Sequence, residues 1–240
     1  MSGLDFDDFQ VLTFDCYGTL IDWERGILAA LRPVFERHGI QPSDEGVLQG
    51  FAKHEAAPGA GPYSCYRAIW TPSLQVPGLD SVLVFSENGA VRFGASVEDW
   101  PPFADSADSL RELGRRFKLG VITNCDDDLF ASSNQHLETR FDWIITAQRA
   151  RSYKPSLNNF HLAFEQIGVP KEEILHVAQS LHHDHLPAKQ LGMKTVWINR
   201  RHDQRGFGAT PAAAASPDLT VPDMKTFATL ALAGWSGSSP

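Results

Sequence analysis

The chain has 240 residues, 29 of them acidic and 21 basic, for a net charge of −8 at pH 7. With 42% hydrophobic and 21% charged residues, it carries enough apolar mass for one large core, alone or with an insertion. The acidic balance and the lack of a Lys/Arg block argue against a nucleic-acid surface, and no apolar run of about 18 residues is present to span a membrane. Residues 1–5 lack the apolar core of a signal peptide. Cys16, Cys65 and Cys125 form no CxxC pair and no metal-ligand spacing, so free thiols in a reducing, cytoplasmic compartment are expected.

The first element is an apolar, β-branched run at residues 11–14, which reads as a buried parallel strand. Asp15 follows at once, then Gly18-Thr19, where the chain turns. Residues 23–38 place Ile27, Leu28, Leu31, Val34 and Phe35 at helical spacing, with Gly39 as the stop. Residues 40–100 change texture: Gly and Pro crowd 57–62 and 72–78, and helical patches sit at 45–54 and 64–69, with no clear strand between them. We read residues 23–100 as a helical cap inserted into an α/β core made of residues 1–22 and 101–240. Trp100-Pro101-Pro102-Phe103 is a stiff return to that core, and Asp105 reads as the cap of a helix running through Leu110 and Leu113. Strands at 119–123, 143–145, 174–178 and 194–198 then alternate with helices at 127–137, 157–167 and 185–191. A loop at 200–217, a short strand at 219–221 and a helix at 223–232 complete the chain. This rhythm predicts a Rossmann-like, doubly wound parallel sheet with helices on both faces.

In such sheets the reactive groups gather beyond the carboxyl ends of the strands. Four polar stations fall there: Asp15, Thr123-Asn124, Ser152-Tyr153-Lys154-Pro155, and the stretch from Gln179 to Asp184. Each has a plain structural reading as well. Aspartate, threonine and asparagine cap helices and turns, and a lone lysine is usually a solvated charge. His182, His183 and His185 crowd Asp184, but adjacent side chains do not all point at one ion, and no distant Cys or His completes a metal spacing. A proton carrier is the alternative role for a histidine there.

The stretch Phe14-Asp15-Cys16-Tyr17-Gly18-Thr19-Leu20-Ile21-Asp22 resembles the first motif of the haloacid dehalogenase superfamily. The resemblance implies that Asp15 is a covalent nucleophile. The phosphatase branch has a second Asp two positions later as general acid/base. This chain has Tyr17, which points to the branch resembling L-2-haloacid dehalogenases, enzymes that attack carbon. Thr123, with Asn124 beside it, fits the hydroxyl of the second motif. Lys154-Pro155 resembles the third, whose lysine neutralises the nucleophile and keeps it ionised. Asp184 fits the fourth. Dehalogenases carry Ser and Asn shortly before that Asp; here Ser180 matches with one apparent extra residue. Which of Gln179, Ser180, His182 and His183 faces the substrate stays open.

The resemblance implies hydrolytic displacement at the α-carbon of a small 2-substituted carboxylic acid, with water as co-substrate and no cofactor. Asp15, Lys154, Asp184 and Thr123 form the catalytic set. Tyr17, Thr19, Asn124, Ser180, His183 and Trp23 are expected to line the substrate, together with backbone amides after Asp15. Arg67 is the expected fork for the carboxylate, with Arg92 its rival. Oligomeric state is open, a homodimer through cap or core helices being one expectation. Three alternatives stand beside this reading. One is ring opening of an azetidine-2-carboxylate-type substrate. Another is a magnesium-dependent phosphomonoesterase. The third is a catalytically silent binding or regulatory protein.

Overall fold

The computed structural model describes residues 3–55, 65, 73–74, 83–84 and 87–237. Its strands are β1 (Val11–Phe14), β2 (Ser73–Leu74), β3 (Leu83–Val84), β4 (Lys118–Thr123), β5 (Trp143–Thr146), β6 (Ile174–Ala178), β7 (Lys194–Ile198) and β8 (Leu219–Val221). Six of them form one sheet in the order β5-β4-β1-β6-β7-β8, and every pairing in it is parallel. The expected doubly wound sheet is present. β1 lies at its centre and is buried along its whole length, as a β-branched, apolar run flanked by two strands demands. The chain moves outward from β1 to β4 and β5, then returns to β6 on the other side. The crevice where the order reverses therefore lies at the carboxyl end of β1, which is where ligands bind in open α/β sheets.

The helices follow their apolar spacing. Trp23–Arg37 buries Trp23, Gly26, Ile27, Leu31 and Phe35, with Asp22 accepting from the Arg25 N–H at its start. Gly26 is where the Trp100 ring lies against this helix, and a Cβ there would overlap the ring. Asp44–Glu55 and Glu87–Ser96 supply further helix before the chain re-enters the core. β2 and β3 form a minimal antiparallel pair where the sequence showed no clear strand, since two residues carry too little pattern to read. The two ends of this segment meet: Asp22 N–H donates to the Pro101 carbonyl at 2.8 Å.

Asp105 differs from expectation. It stands at the N-cap position of Ser106–Leu113, but its side chain makes no capping bond there. Its carboxylate instead accepts from the Met224 and Lys225 N–H groups, at 2.8 and 3.1 Å, and pairs with Arg200 at 2.9 Å. Arg200 lies 4.0 Å over the Phe103 ring and donates to the Thr19 carbonyl at 2.9 Å. The charge pair with Arg200 outcompetes a single capping bond.

The loop after β7 straps the helices that follow β1 onto the sheet. Arg201 donates to Glu24 at 2.6 Å and to Glu45 at 2.9 Å, so one guanidinium holds both Trp23–Arg37 and Asp44–Glu55. Glu24 also accepts from the Ala209 N–H at 3.0 Å. Among the described residues, no helix is long and apolar enough to cross a membrane. We predict that Arg201→Ala costs about 2 kcal/mol by leaving Glu24 half-satisfied in a mostly buried site. A calorimetric scan should show the melting temperature falling by roughly 4–8 °C.

Candidate active site

Four loops bring the polar stations together at the carboxyl end of the sheet. Asp15 leaves β1 with its N–H held by the Val177 carbonyl of β6 at 3.1 Å. Gly18 turns the chain with φ +90°, a value that favours glycine. The turn brings Thr19 Oγ1 back to donate to Asp15 Oδ2 at 2.7 Å, and Thr19 Oγ1 itself accepts from the Gln179 N–H at 2.9 Å.

Lys154 arrives from the loop after the short helix Ala147–Ala150, a single turn too brief for its period to show in the sequence. Its ammonium is fully engaged. Nζ donates to Asp15 Oδ1 at 2.9 Å, Asp184 Oδ1 at 2.7 Å and the Ile122 carbonyl at 2.7 Å. All three side chains are nearly sealed from solvent. Burial alone would lower the lysine pKa, but the two carboxylates outweigh it and hold the ammonium charged above its ordinary range. Burial pushes Asp184 up, yet Lys154 and His176 more than reverse this and keep it well below the usual carboxylate range. Asp15 is raised, chiefly by burial and further by the Asp184 charge, with Lys154 pulling the other way.

Asn124 braces this lysine. Its Oδ1 accepts from the Lys154 N–H at 2.7 Å, and its Nδ2 donates to the Lys154 carbonyl at 3.0 Å. Thr123 ends β4 fully buried, with Oγ1 3.6 Å from Cys125 Sγ. No hydrogen bond among the described residues joins it to Asp15. Tyr17 is buried, edge-on to Trp100 at 5.8 Å, with its hydroxyl 2.9 Å from Ser133 Oγ. That hydroxyl also reaches Cys125, whose thiol burial pushes up to about 12. Cys16 is raised well above its ordinary value by the same cause. Buried, protonated thiols of this kind are unreactive. The amides from Gly18 to Ile21 are used inside the turn, as in Gly18 N–H to the Ile21 carbonyl at 2.8 Å.

Asp184 is carried by the segment after β6. Leu181–His185 forms a π-helical turn before the chain resumes as Leu186–Gln190. From this turn Asp184 reaches Lys154. Ser180 caps this turn, its Oγ accepting from the His183 N–H at 2.9 Å and lying 3.2 Å from His183 Nδ1. His185 points elsewhere, to the Ala178 carbonyl at 2.9 Å and Thr195 Oγ1 at 3.1 Å. The histidine run thus fans out. Among the described residues, no group of three or more His, Cys, Asp and Glu side chains is arranged to hold a metal ion.

His176 was missed in the sequence. It lies inside β6, fully buried, with Nε2 2.9 Å from Asp184 Oδ1 and Nδ1 3.0 Å from Thr13 Oγ1. A histidine within an otherwise apolar strand was the available signal. Trp23 is buried beside the Asp15 turn: a Cβ on Gly18 would lie 3.0 Å from its Nε1 and 3.1 Å from Gln179 Oε1. Arg67 falls outside the described residues, and Arg92 is exposed on Glu87–Ser96.

A sheet of this order with a carboxylate, a lysine and a second carboxylate at its switch point defines a class of hydrolase. The family model of haloacid dehalogenase-like hydrolases matches residues 9–192, and the chain belongs to that family. It is 28% identical over 221 residues to haloacetate dehalogenase H-2 of Moraxella sp. (strain B), covering 90% of this chain and 94% of that one. It is 34% identical over 112 residues to haloacid dehalogenase-like hydrolase domain-containing protein 3 of Danio rerio, where the match spans about half the length of that relative, 46%. Among solved structures, the L-2-haloacid dehalogenase of Xanthobacter autotrophicus with chloropropionic acid covalently bound superposes with a TM-score of 0.70. That match has 19% identity and covers 94% of this chain and 99% of that one, a likeness of fold.

Two predictions follow from the burial of charge here. Lys154→Met leaves Asp15 and Asp184 facing each other without a cation, so it should lower stability by about 3–5 kcal/mol in urea unfolding. Burial holds His183 down at about 3, with the neighbouring Asp184 opposing, and His185 down at about 4. Unfolded histidines take up protons near 6.5, so below that pH the unfolded state gains protons that the folded state refuses. Stability is therefore full above about pH 6.5 and should fall by roughly 2 kcal/mol per histidine at about pH 5. Paired urea titrations check this, and His185→Gln should remove about half of the slope.

Proposed function

We propose that this chain hydrolyses small 2-substituted carboxylic acids, 2-halo acids foremost, through an aspartyl ester. The observation that carries this reading is Tyr17. Two residues after the nucleophile, where phosphoryl transfer needs an acid/base, stands a buried phenol turned onto Ser133 and Cys125. Displacement at a saturated carbon has no such need, because a halide leaves as an anion without a proton.

In this reading the Asp15 carboxylate attacks the α-carbon, the carbon–halogen bond breaks, and the halide departs with the bonding pair. Lys154 counters the burial that would otherwise protonate Asp15. Thr19 holds the second oxygen and so fixes the carboxylate plane. Water then attacks the ester carbonyl, and Asp184 takes its proton. The tetrahedral intermediate collapses by breaking its bond to the alkoxide, which takes the proton held by Asp184 and leaves as the 2-hydroxy acid, while the remaining carboxyl proton of Asp15 passes to solvent and both carboxylates are again ionised. Asp184 Oδ2, buried and without a hydrogen-bond partner, supports that role. Residues 23–100 serve as the cap that excludes bulk water. Trp23 walls the pocket on that side, and Gln179 lies beside it. Arg67 remains the proposed carboxylate fork.

The family also contains phosphatases, for which magnesium is the expected ion. The oxygens present do not fit it. Both Asp15 oxygens accept from Lys154 and Thr19, Gln179 Oε1 accepts from Thr210 at 3.0 Å, Tyr17 replaces a carboxylate, and Asp184 Oδ2 is then the one oxygen of this set without a partner. Magnesium demands near-octahedral oxygen ligands, usually carboxylates and water.

The test is halide release from L-2-chloropropionate in the presence of EDTA, with Asp15→Asn as control. EDTA-resistant release that vanishes in the control is expected. Phosphate freed from a model monoester only with added magnesium, and no halide, would sink the reading.

A further inference from the structure

His176 has no part in the mechanism so far, yet it touches the general base. It pairs with Thr13 across β1 and with Thr195 across β7, so a polar row crosses an otherwise apolar sheet. Gly120 continues the row on β4 and makes room for Thr13, since a Cβ there would sit 3.3 Å from Thr13 Cγ2. Phe160 closes the other side of the imidazole, edge-on at 5.3 Å. Each ring nitrogen therefore has one partner. With Thr13 donating to Nδ1, the ring carries its proton on Nε2 and donates to Asp184 Oδ1.

That same oxygen accepts from Lys154 Nζ at 2.7 Å, while Oδ2 is buried and unpartnered. One donor would leave the Asp184 carboxylate free to rotate and offer either oxygen. Two donors on Oδ1, arriving from β6 and from the lysine loop, hold it in one plane with Oδ2 turned away from both. We propose that His176 is a positioning residue that reserves Asp184 Oδ2 for the hydrolytic water, an assignment that rests on the aspartyl-ester reading above. Thr13 sets the tautomer, His176 sets the carboxylate, and the carboxylate orients water against the ester carbonyl. The assignment concerns the second chemical step alone, since Asp15 is held for its own attack by Lys154 and Thr19.

The experiment compares wild type, His176→Leu and His176→Gln after rapid mixing with L-2-chloropropionate, reading halide release and the intact protein mass. In the wild type, turnover should run without accumulated adduct. His176→Leu should keep the first-turnover rate of halide release and lose roughly 10–100-fold in steady-state rate, so that a halide burst appears and the ester mass builds up. In His176→Gln the amide Nε2 reaches the same carboxylate oxygen and should restore most of the rate. Equal slowing of the first turnover and the steady state in His176→Leu, with no adduct, overturns the assignment and leaves the dehalogenase reading standing. No halide and no adduct in the wild type overturns both. Should the leucine variant fail to fold, long-range ¹H–¹⁵N spectra of the wild type decide the matter: an Nε2–H tautomer supports the assignment, and an Nδ1–H tautomer overturns it.

Discussion

One ammonium group sits between two buried carboxylates, and the architecture of the site follows from the need to keep it there. Lys154 gives all three of its protons away, two to Asp15 and Asp184 and one to the Ile122 carbonyl. Removing two carboxylates from water is costly, and their mutual repulsion adds to the cost. A lysine on a flexible stem meets that demand only when its own backbone is fixed. Asn124 provides this, gripping the Lys154 peptide from both sides. Ser152 and Asn159 tie the loop to the following helix, with Ser152 Oγ donating to Asn159 Oδ1 at 2.9 Å. The charge triad, the loop that carries it and the strand end beside it form one rigid object.

Rigidity at the base contrasts with the way the helices after β1 are attached. These are held by charge, where Arg201 reaches Glu24 and Glu45, and by aromatic packing, where Trp23 meets Phe51 and Phe93 meets Trp100 edge to face and Phe51 lies tilted against Phe93. Aromatic edge contacts hold position while tolerating small sliding, whereas a guanidinium bonded to two carboxylates does not. Glu24 sits one residue after Trp23, so the strap also sets the depth at which that indole reaches towards Gly18.

Much of this was legible in the sequence. The core strands are short apolar runs bounded by polar or turn residues, and the bounds of β1, β6, β7 and β8 coincide with those runs. That Asp15, Lys154 and Asp184 meet was legible in the motifs they resemble and in their places at the ends of strands or in the loops after them. What escaped was direction. A sequence does not say which way a side chain points, so Asn124 read as a donor to a ligand and Asp105 as a helix cap, when both are committed to the main chain of distant residues. His176 was hidden inside an apolar run, where the strand pattern absorbed it. The wide turn that carries Asp184 was unreadable for another reason: a π-turn has no sequence period of its own.

Tyr17 has a consequence for how chemistries are exchanged within such a family. Its ring packs against Trp100, which in turn lies on Gly26, and its hydroxyl ends between Ser133 and Cys125. An aspartate at that position would be too short to fill the space and would carry a charge into a region of sealed thiols. Placing a carboxylate two residues after Asp15 would therefore require its neighbours to be repacked as well. On the proposed reading, exchange between the two chemistries at this position is limited by packing as much as by reactivity.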